Sequence, residues 1–172
     1  LSRIAAELDF ELVMVTNQDG LGTDSFPEAT FWPDHEKMLR AFEREGISFS
    51  EILIDRSFPA DNAPTRKPRT GLLTHYLEGD YDLTHSFVIG DRLTEMELAK
   101  NLGAQGIWIN TDPELGADET ERSPEHLAST IALTTTDWER IYQFLKLPLR
   151  RSKIRRATKE TDIHIEVLLD GQ

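Results

Sequence analysis

The sequence predicts an α/β domain built on a doubly wound, three-layer parallel sheet. Three observations predict it: short runs of consecutive apolar residues, helix-like runs between them, and small polar or acidic residues where the apolar runs stop. Consecutive apolar residues suit strands covered on both faces. Strands that alternate with helices give a parallel sheet with crossovers, and such a sheet binds ligands beyond the carboxyl ends of its strands.

Taken in order, Leu1 to Leu8 reads as the end of a helix and Phe10 to Thr16 as a strand that delivers Thr16 and Asn17 to a Gln18-Asp19-Gly20 turn. Asp34 to Glu45 is amphipathic, with Met38, Leu39 and Phe42 on its buried side and Phe31 and Trp32 as core or staple residues; Gly46 stops it. A strand from Phe49 to Ile54 follows, then a loop carrying Thr65-Arg66-Lys67-Pro68, then a helix from Thr70 to Leu77 whose start Pro68 limits. Asp80-Tyr81-Asp82 is a polar turn. Ser86 to Ile89 is a strand that ends in Gly90-Asp91, Thr94 to Leu102 a helix, and Ile107 to Ile109 a strand. Asn110 to Leu127, acidic and interrupted by Pro113, Gly116 and Pro124, reads as a surface loop. Trp138 to Leu147 is a last helix ended by Pro148, with Ile141, Phe144 and Leu145 on its buried side and Trp138 a candidate fourth. Beyond it, Arg150, Arg151, Lys153, Arg155, Arg156 and Lys159 read as a solvated basic linker over residues 149–159. Ile163, Ile165, Val167 and Leu169 then alternate as one face of a strand before the Asp170-Gly171 turn. That strand has no expected partner within the chain, so it is either unpaired or docked onto the sheet of another chain.

Three loops carry candidate chemistry. A hydroxyl, an amide and backbone N–H groups at Thr16 and Asn17 can cradle a phosphate without charge. Lys67 can neutralise phosphate oxygens as charge develops during transfer. Asp91 is a candidate ligand for a hard cation such as Mg²⁺, with Glu95 as a supporting carboxylate. Asp91 at a strand end and Glu95 in a first helical turn also have a purely structural use as caps. The five histidines show no His-x-x-x-His spacing and no serine partner with an acid, and read as surface or satisfied residues.

Composition narrows the class. A chain of 172 residues with 38% hydrophobic content suits one α/β domain and a short extension. It contains no apolar run of the ~20 residues that span a bilayer, so no membrane partner is expected. A formal net charge of −12 argues against general nucleic-acid binding, so an anionic substrate must meet local cations: Lys67, with Arg66, Arg69 and Arg92 as further candidates. With no cysteine the chain cannot be a disulfide scaffold, and a cytoplasmic location is the expectation.

The ordered set of Thr16-Asn17, Lys67 and Gly90-Asp91-Arg92-Leu93-Thr94-Glu95 resembles the haloacid-dehalogenase-like phosphatases, a Rossmann-type fold. Thr16-Asn17-Gln18-Asp19-Gly20-Leu21-Gly22-Thr23, followed by Ser25-Phe26-Pro27, is similar to their histidinol-phosphatase branch. Arg156-Ala157-Thr158-Lys159-Glu160-Thr161-Asp162-Ile163 resembles the opening of imidazoleglycerol-phosphate dehydratase, the domain to which that branch is fused. The resemblance implies Mg²⁺-dependent hydrolysis of L-histidinol phosphate in histidine biosynthesis. Lys67 would be catalytic, Thr16, Asn17 and Lys67 would bind phosphate, and Asp91 would hold Mg²⁺ with Glu95 behind it. It further implies a phosphatase domain over 1–148 that lacks its first strand, the linker over 149–159, and the first strand of a dehydratase domain over 160–172, the parent being a homo-oligomer through that domain.

The departures from the family pattern carry expectations of their own. Its members attack phosphorus with the first Asp of an Asp-x-Asp pair on that first strand, and neither aspartate is present, so the chain by itself is expected not to turn over substrate. Many members also hold zinc with four Cys and His ligands, whose positions fall here on Asp55, Ser57, Ala63 and Thr65. That set cannot replace thiolates and imidazoles, and no zinc is expected. The alternatives are a heptose or sugar bisphosphatase of the same superfamily and a non-catalytic phosphate-binding or assembly module. A signalling receiver domain would need an acidic cluster where Thr16-Asn17 stands.

Overall fold

The computed structural model describes residues 1–110, 112, 114–120 and 122–147, and the backbone of 151–157 and 162–168. Two groups of parallel strands carry the fold. β1 (Val13–Asn17) pairs with β2 (Glu51–Asp55), Val15 opposite Leu53. β3 (Phe87–Gly90), β4 (Gln105–Trp108) and β5 (Ile131–Thr134) form a second sheet in the order β3-β4-β5. No ladder joins β1 to β3 among the described residues. Helices α1 (Ser2–Glu7), α2 (Glu28–Arg44), α3 (Thr74–Glu78), α4 (Leu93–Leu102), α5 (Pro124–Leu127) and α6 (Trp138–Lys146) alternate with the strands.

Side-chain alternation along the strands sorts the core into two layers. On one face, Phe87 and Ile89 pack against Ile4 and Leu8 of the α1 region and against Ile141, Tyr142 and Leu145 of α6. The next residue along, Val88, points to the other face, where it meets Val13, Val15, Leu73, Tyr76 and Leu98. Strands apolar at successive positions are therefore covered from both sides, as the sequence predicts. A third cluster of Leu93, Met96 and Leu127 seats the amino end of α4 against α5.

Several elements differ from expectation. α2 begins at Glu28, six residues before Asp34, and carries Pro33 within it. Its early turns are anchored by side chains: Phe31 stacks on His35 with centroids 4.9 Å apart, and Trp32 Nε1 donates to Glu28 Oε2 at 2.7 Å. The buried stripe is thus Phe31 and His35 with Leu39 and Phe42 half-buried, while Met38, expected on the buried side, is 37% exposed. Gly46, with φ +73°, follows α2 and supplies the left-handed turn that stops it. Strand β5 falls in a stretch too short and too rich in threonine for its alternation to stand out. Trp138 shares the face of Ile141, Tyr142 and Leu145, yet it stands in the first turn of α6 and is exposed.

The C-terminal segment also departs from the expected linker and solitary strand. Arg151–Ala157 is itself a strand, β6, and it pairs antiparallel with β7 (Asp162–Leu168), Ile154 opposite Ile165. The partner of the alternating strand is the basic segment before it, because a short connection lets consecutive strands form a hairpin. Pro113, Pro148, Arg150, Thr158, Lys159, Glu160, Thr161, Leu169, Asp170 and Gly171 lie outside the described residues.

Candidate active site

The carboxyl ends of β1 and β3 and the loop between β2 and α3 meet at one rim. Asn17 fixes the loop there: its Nδ2 donates to the Lys67 carbonyl at 3.2 Å and its Oδ1 accepts from the Lys67 N–H at 3.1 Å. An amide that matches a peptide group donor for acceptor holds the backbone on either side of the lysine, and the Lys67-Pro68 peptide is cis. The ammonium then turns inward, where Nζ donates to the Val15 carbonyl at 3.0 Å and to Glu95 Oε1 at 2.8 Å.

Glu95 reaches that position through two local features. Its other oxygen, Oε2, accepts from the Arg92 N–H at 2.9 Å, closing the first turn of α4 three residues ahead. It also lies against Gly90, where an added Cβ would come 2.3 Å from Glu95 Cγ, so no larger residue fits beside it. The Lys67 and Glu95 side chains are only 12% and 10% exposed. Such a pair defines geometry more than it adds stability, because desolvation offsets much of the attraction.

These contacts reassign two predicted roles. Both ends of the Asn17 amide are spent on the Lys67 backbone, so Asn17 positions the lysine and does not offer its amide to a phosphate. Glu95 is the ion partner of Lys67 and a cap for α4, so it is not held behind Asp91. Asp91 is exposed and lines the same cavity as Lys67 and Glu95. Its backbone carbonyl accepts from Trp108 Nε1 at 3.1 Å and Asn110 Nδ2 at 2.5 Å, while its carboxylate has no partner among the described residues. Thr16 does not line that cavity; its hydroxyl accepts from Gln18 Nε2 at 2.8 Å. No group of three or more His, Cys, Asp or Glu gathers into a metal site among the described residues. Mg²⁺ needs only one or two protein carboxylates beside water and substrate oxygens, and Asp91 fits as one of them.

An ionic latch missed by the sequence reading lies beside the lysine. The Arg66 side chain is 5% exposed and donates to Asp19 Oδ1 at 2.5 Å, Glu119 Oε2 at 2.9 Å and the Ser57 carbonyl at 3.0 Å. Glu119 also accepts from Arg92 at 2.7 Å. One guanidinium thereby joins the loops that follow β1, β2 and β4. Burial acts to lower the Arg66 pKa, but Asp19 and Glu119 outweigh it and hold the group above its ordinary value.

Three of the four residues at the family's zinc positions, Asp55, Ser57 and Thr65, are joined by hydrogen bonds. Asp55 is buried, and it accepts from the Ser57 N–H at 3.0 Å, from Ser57 Oγ at 2.5 Å and from Thr65 Oγ1 at 2.6 Å. Two hydroxyls and a carboxylate do not fit tetrahedral zinc, yet they close the same loop. Metal analysis is expected to find no stoichiometric zinc, and a chelator should leave the melting temperature unchanged. Asp55→Ala should cost about 1–3 kcal/mol in urea unfolding, since two hydroxyls and an N–H lose their acceptor.

The same carboxylate gives a pH signature. Burial acts to raise the Asp55 pKa, but the hydrogen bonds from Ser57 and Thr65 prevail and hold it below the usual carboxylate range. A depressed folded-state value stabilises the fold above the unfolded pKa of about 3.9, and the gain disappears as pH falls through the lower folded value. Asp55→Asn should remove that part of the acid destabilisation, read from melting curves between about pH 5 and pH 2.

Comparison with known proteins finds relatives of this chain. The HAD-hydrolase-like family model matches residues 64–134, which contain Lys67, Asp91 and Glu95. The histidine biosynthesis bifunctional protein HisB of Bacteroides fragilis is 54% identical over the whole chain, and that of Spirosoma linguale is 51% identical. The chain spans 45% and 46% of those two proteins, about half the length of the curated relatives it matches. Among solved structures, the D,D-heptose 1.7-bisphosphate phosphatase from B. bronchiseptica, complexed with magnesium and phosphate, aligns at a TM-score of 0.64 and 26% identity. The alignment covers 84% of this chain and 79% of that one. With its parallel strands, its lysine loop and its Gly90-Asp91 turn at one rim, the chain is similar to the haloacid-dehalogenase-like hydrolases.

Proposed function

We propose that this chain is the phosphate-handling part of a phosphatase that hydrolyses L-histidinol phosphate to L-histidinol and phosphate, within a protein that also carries an imidazoleglycerol-phosphate dehydratase domain. The observation that carries this reading is the identity of 51–54% with HisB along the entire chain. Support also comes from the rim, where Lys67 and Asp91 bring an ammonium and a carboxylate to one cavity. In this reading Lys67 spreads charge from the phosphoryl oxygens, and Asn17 holds Lys67 in place. Asp91 would hold Mg²⁺, which supplies further neutralisation of the phosphate when bound. The protein would work in the cytoplasm and assemble as a homo-oligomer through the dehydratase domain, with residues 160–172 opening that domain. Among the described residues no helix is long and apolar enough to cross a membrane.

The structural likeness to a heptose bisphosphatase favours one competing reading, hydrolysis of a sugar bisphosphate. Assay of the full-length protein with Mg²⁺ decides between them. The proposal expects kcat/KM for L-histidinol phosphate to exceed that for a heptose bisphosphate, and the reverse order overturns it.

A further inference from the structure

The loops that follow β1 and β2 meet beside Lys67 and set two unlike groups side by side. Asn17 clamps the Lys67 backbone, and Asp19 stands two residues further on, within about 7 Å of Asn17 even along an extended chain. The Asp19 side chain is 46% exposed and engages Arg66 unevenly: Oδ1 accepts from Nη1 at 2.5 Å, whereas Oδ2 meets Nη2 at 3.4 Å. An oxygen held that loosely keeps lone pairs for another donor. Gly20 comes next, at φ +69°, and the tip of the Phe58 ring fills the place of its missing side chain, since an added Cβ would lie 2.3 Å from Phe58 Cζ. Gly20 touches only the end of the ring. Phe58 is 43% exposed and has no aromatic or cationic partner among the described residues. Its backbone is fixed from behind, where the Phe58 N–H donates to Asp61 Oδ2 at 2.8 Å and the preceding Ser57 carbonyl accepts from Arg66 at 3.0 Å.

The arginines around this pair are already engaged. Arg66 serves Asp19 and Glu119, Arg92 serves Glu119, Arg56 pairs with Glu28 at 2.7 Å, and Arg69 donates to Asn62 Oδ1 at 2.6 Å. The charges of Asp19, Arg66, Glu119 and Arg92 cancel among themselves. A second phosphate on a substrate held at Lys67 would have to displace one of these carboxylates, whereas a positive group meets Asp19 half exposed and in place.

We propose that Asp19 and Phe58 form the subsite for the part of the substrate that departs with the ester oxygen: Asp19 takes an ammonium and Phe58 a flat heteroaromatic ring, so that the site selects phosphomonoesters of aromatic amino alcohols. The order of the groups matches. Along the rim come Lys67, Asp19 and then Phe58 on Gly20; along L-histidinol phosphate come phosphate, ammonium and then imidazole. The ammonium gains a charge-assisted hydrogen bond, and the imidazole covers an exposed ring with the offset or edge contact that aromatic pairs prefer. A heptose bisphosphate brings neither group, and its second phosphate would face a carboxylate. This assignment rests on the phosphatase reading and adds to it what selects the substrate.

The test compares kcat/KM of the full-length protein with Mg²⁺ for three esters: L-histidinol phosphate, imidazolylpropyl phosphate, which lacks the ammonium, and leucinol phosphate, which lacks the ring. Asp19→Asn should cut the preference for L-histidinol phosphate over imidazolylpropyl phosphate by roughly tenfold or more, the worth of a hydrogen bond between charged groups. Phe58→Ala should cut the preference over leucinol phosphate by roughly threefold or more. Glu119→Gln is the control, because it loosens Arg66 as Asp19→Asn does and should leave both preferences in place. A disturbed loop lowers kcat/KM for all three esters together and does not move these ratios. Ratios unmoved by Asp19→Asn and Phe58→Ala, or moved as far by Glu119→Gln, overturn the subsite. Binding of L-histidinol itself to the 172-residue chain is read by NMR, where the Phe58 ring protons should shift and Asp19→Asn should raise Kd by roughly tenfold or more. That shift without turnover of L-histidinol phosphate upholds the subsite and counts against the phosphatase reading; turnover with unmoved ratios does the reverse. Neither shift nor turnover overturns both.

Discussion

Replacing Lys67 by alanine in the full-length protein is expected to lower kcat for L-histidinol phosphate by roughly 10²-fold or more, the loss found when one preorganised charge donor is removed. The size of the effect follows from where the ammonium sits. It is 12% exposed, fixed by Val15 and Glu95 at 3.0 and 2.8 Å, with its backbone clamped by Asn17. A charge held that way needs little reorganisation when negative charge grows on a phosphoryl group. Truncation also strands the Glu95 carboxylate, so part of any loss could arise from a disturbed α4 terminus. Lys67→Met with Glu95→Gln separates the two effects, because the amide no longer needs an ion partner and still accepts from Arg92. If the double variant melts like the parent and turnover stays low, the ammonium itself acts on the substrate. Asn17→Ala should act through the same lysine, lowering kcat by a smaller factor and costing some stability, because the Lys67 N–H and carbonyl lose their partner. A parent-like kcat in Lys67→Ala would exclude the lysine from the chemistry.

How much of this was legible in the sequence depends on the range of the interaction. The parallel α/β architecture was legible because β1 to β4 each announce themselves through a local apolar run. The location of the rim was legible too, since Asn17 and Asp91 stand where strands stop and Lys67 stands in the loop ahead of a helix. Asn17 was visible as a polar residue at a strand end, but its use was not, because the peptide it clamps is fifty residues along the chain. Glu95 shows the converse. Its spacing of four from Asp91 suggested a shared cation, whereas its spacing of three from Arg92 is that of a helix-start box, a signal that was present and outweighed. β5 stayed hidden for want of length. β6 stayed hidden because its charges read as a solvated linker while its backbone pairs with β7.

The largest effect on stability is expected from Arg66, which the sequence offered only as one of several spare cations. Arg66→Met should destabilise the chain by about 2–4 kcal/mol in urea unfolding. Removing one member of a fully buried ion pair costs about 3–5 kcal/mol, because the partner charge is left without compensation. Here the cost is reduced: Asp19 is 46% exposed and Glu119 22%, so water partly replaces the guanidinium. Arg66→Lys should recover little, since a compact ammonium cannot serve Asp19, Glu119 and the Ser57 carbonyl at once. Adding Asp19→Asn and Glu119→Gln to Arg66→Met removes the stranded charges and should return much of the loss, although three loops then lack their common latch. If Arg66→Met is instead as stable as the parent, the loops after β1, β2 and β4 are held by packing alone, and the guanidinium is a passenger. The kinetic readout distinguishes this latch from Lys67. In the full-length protein at a temperature where the variant stays folded, Arg66→Met should lose less turnover than Lys67→Ala, because Asn17 still grips the lysine backbone from β1.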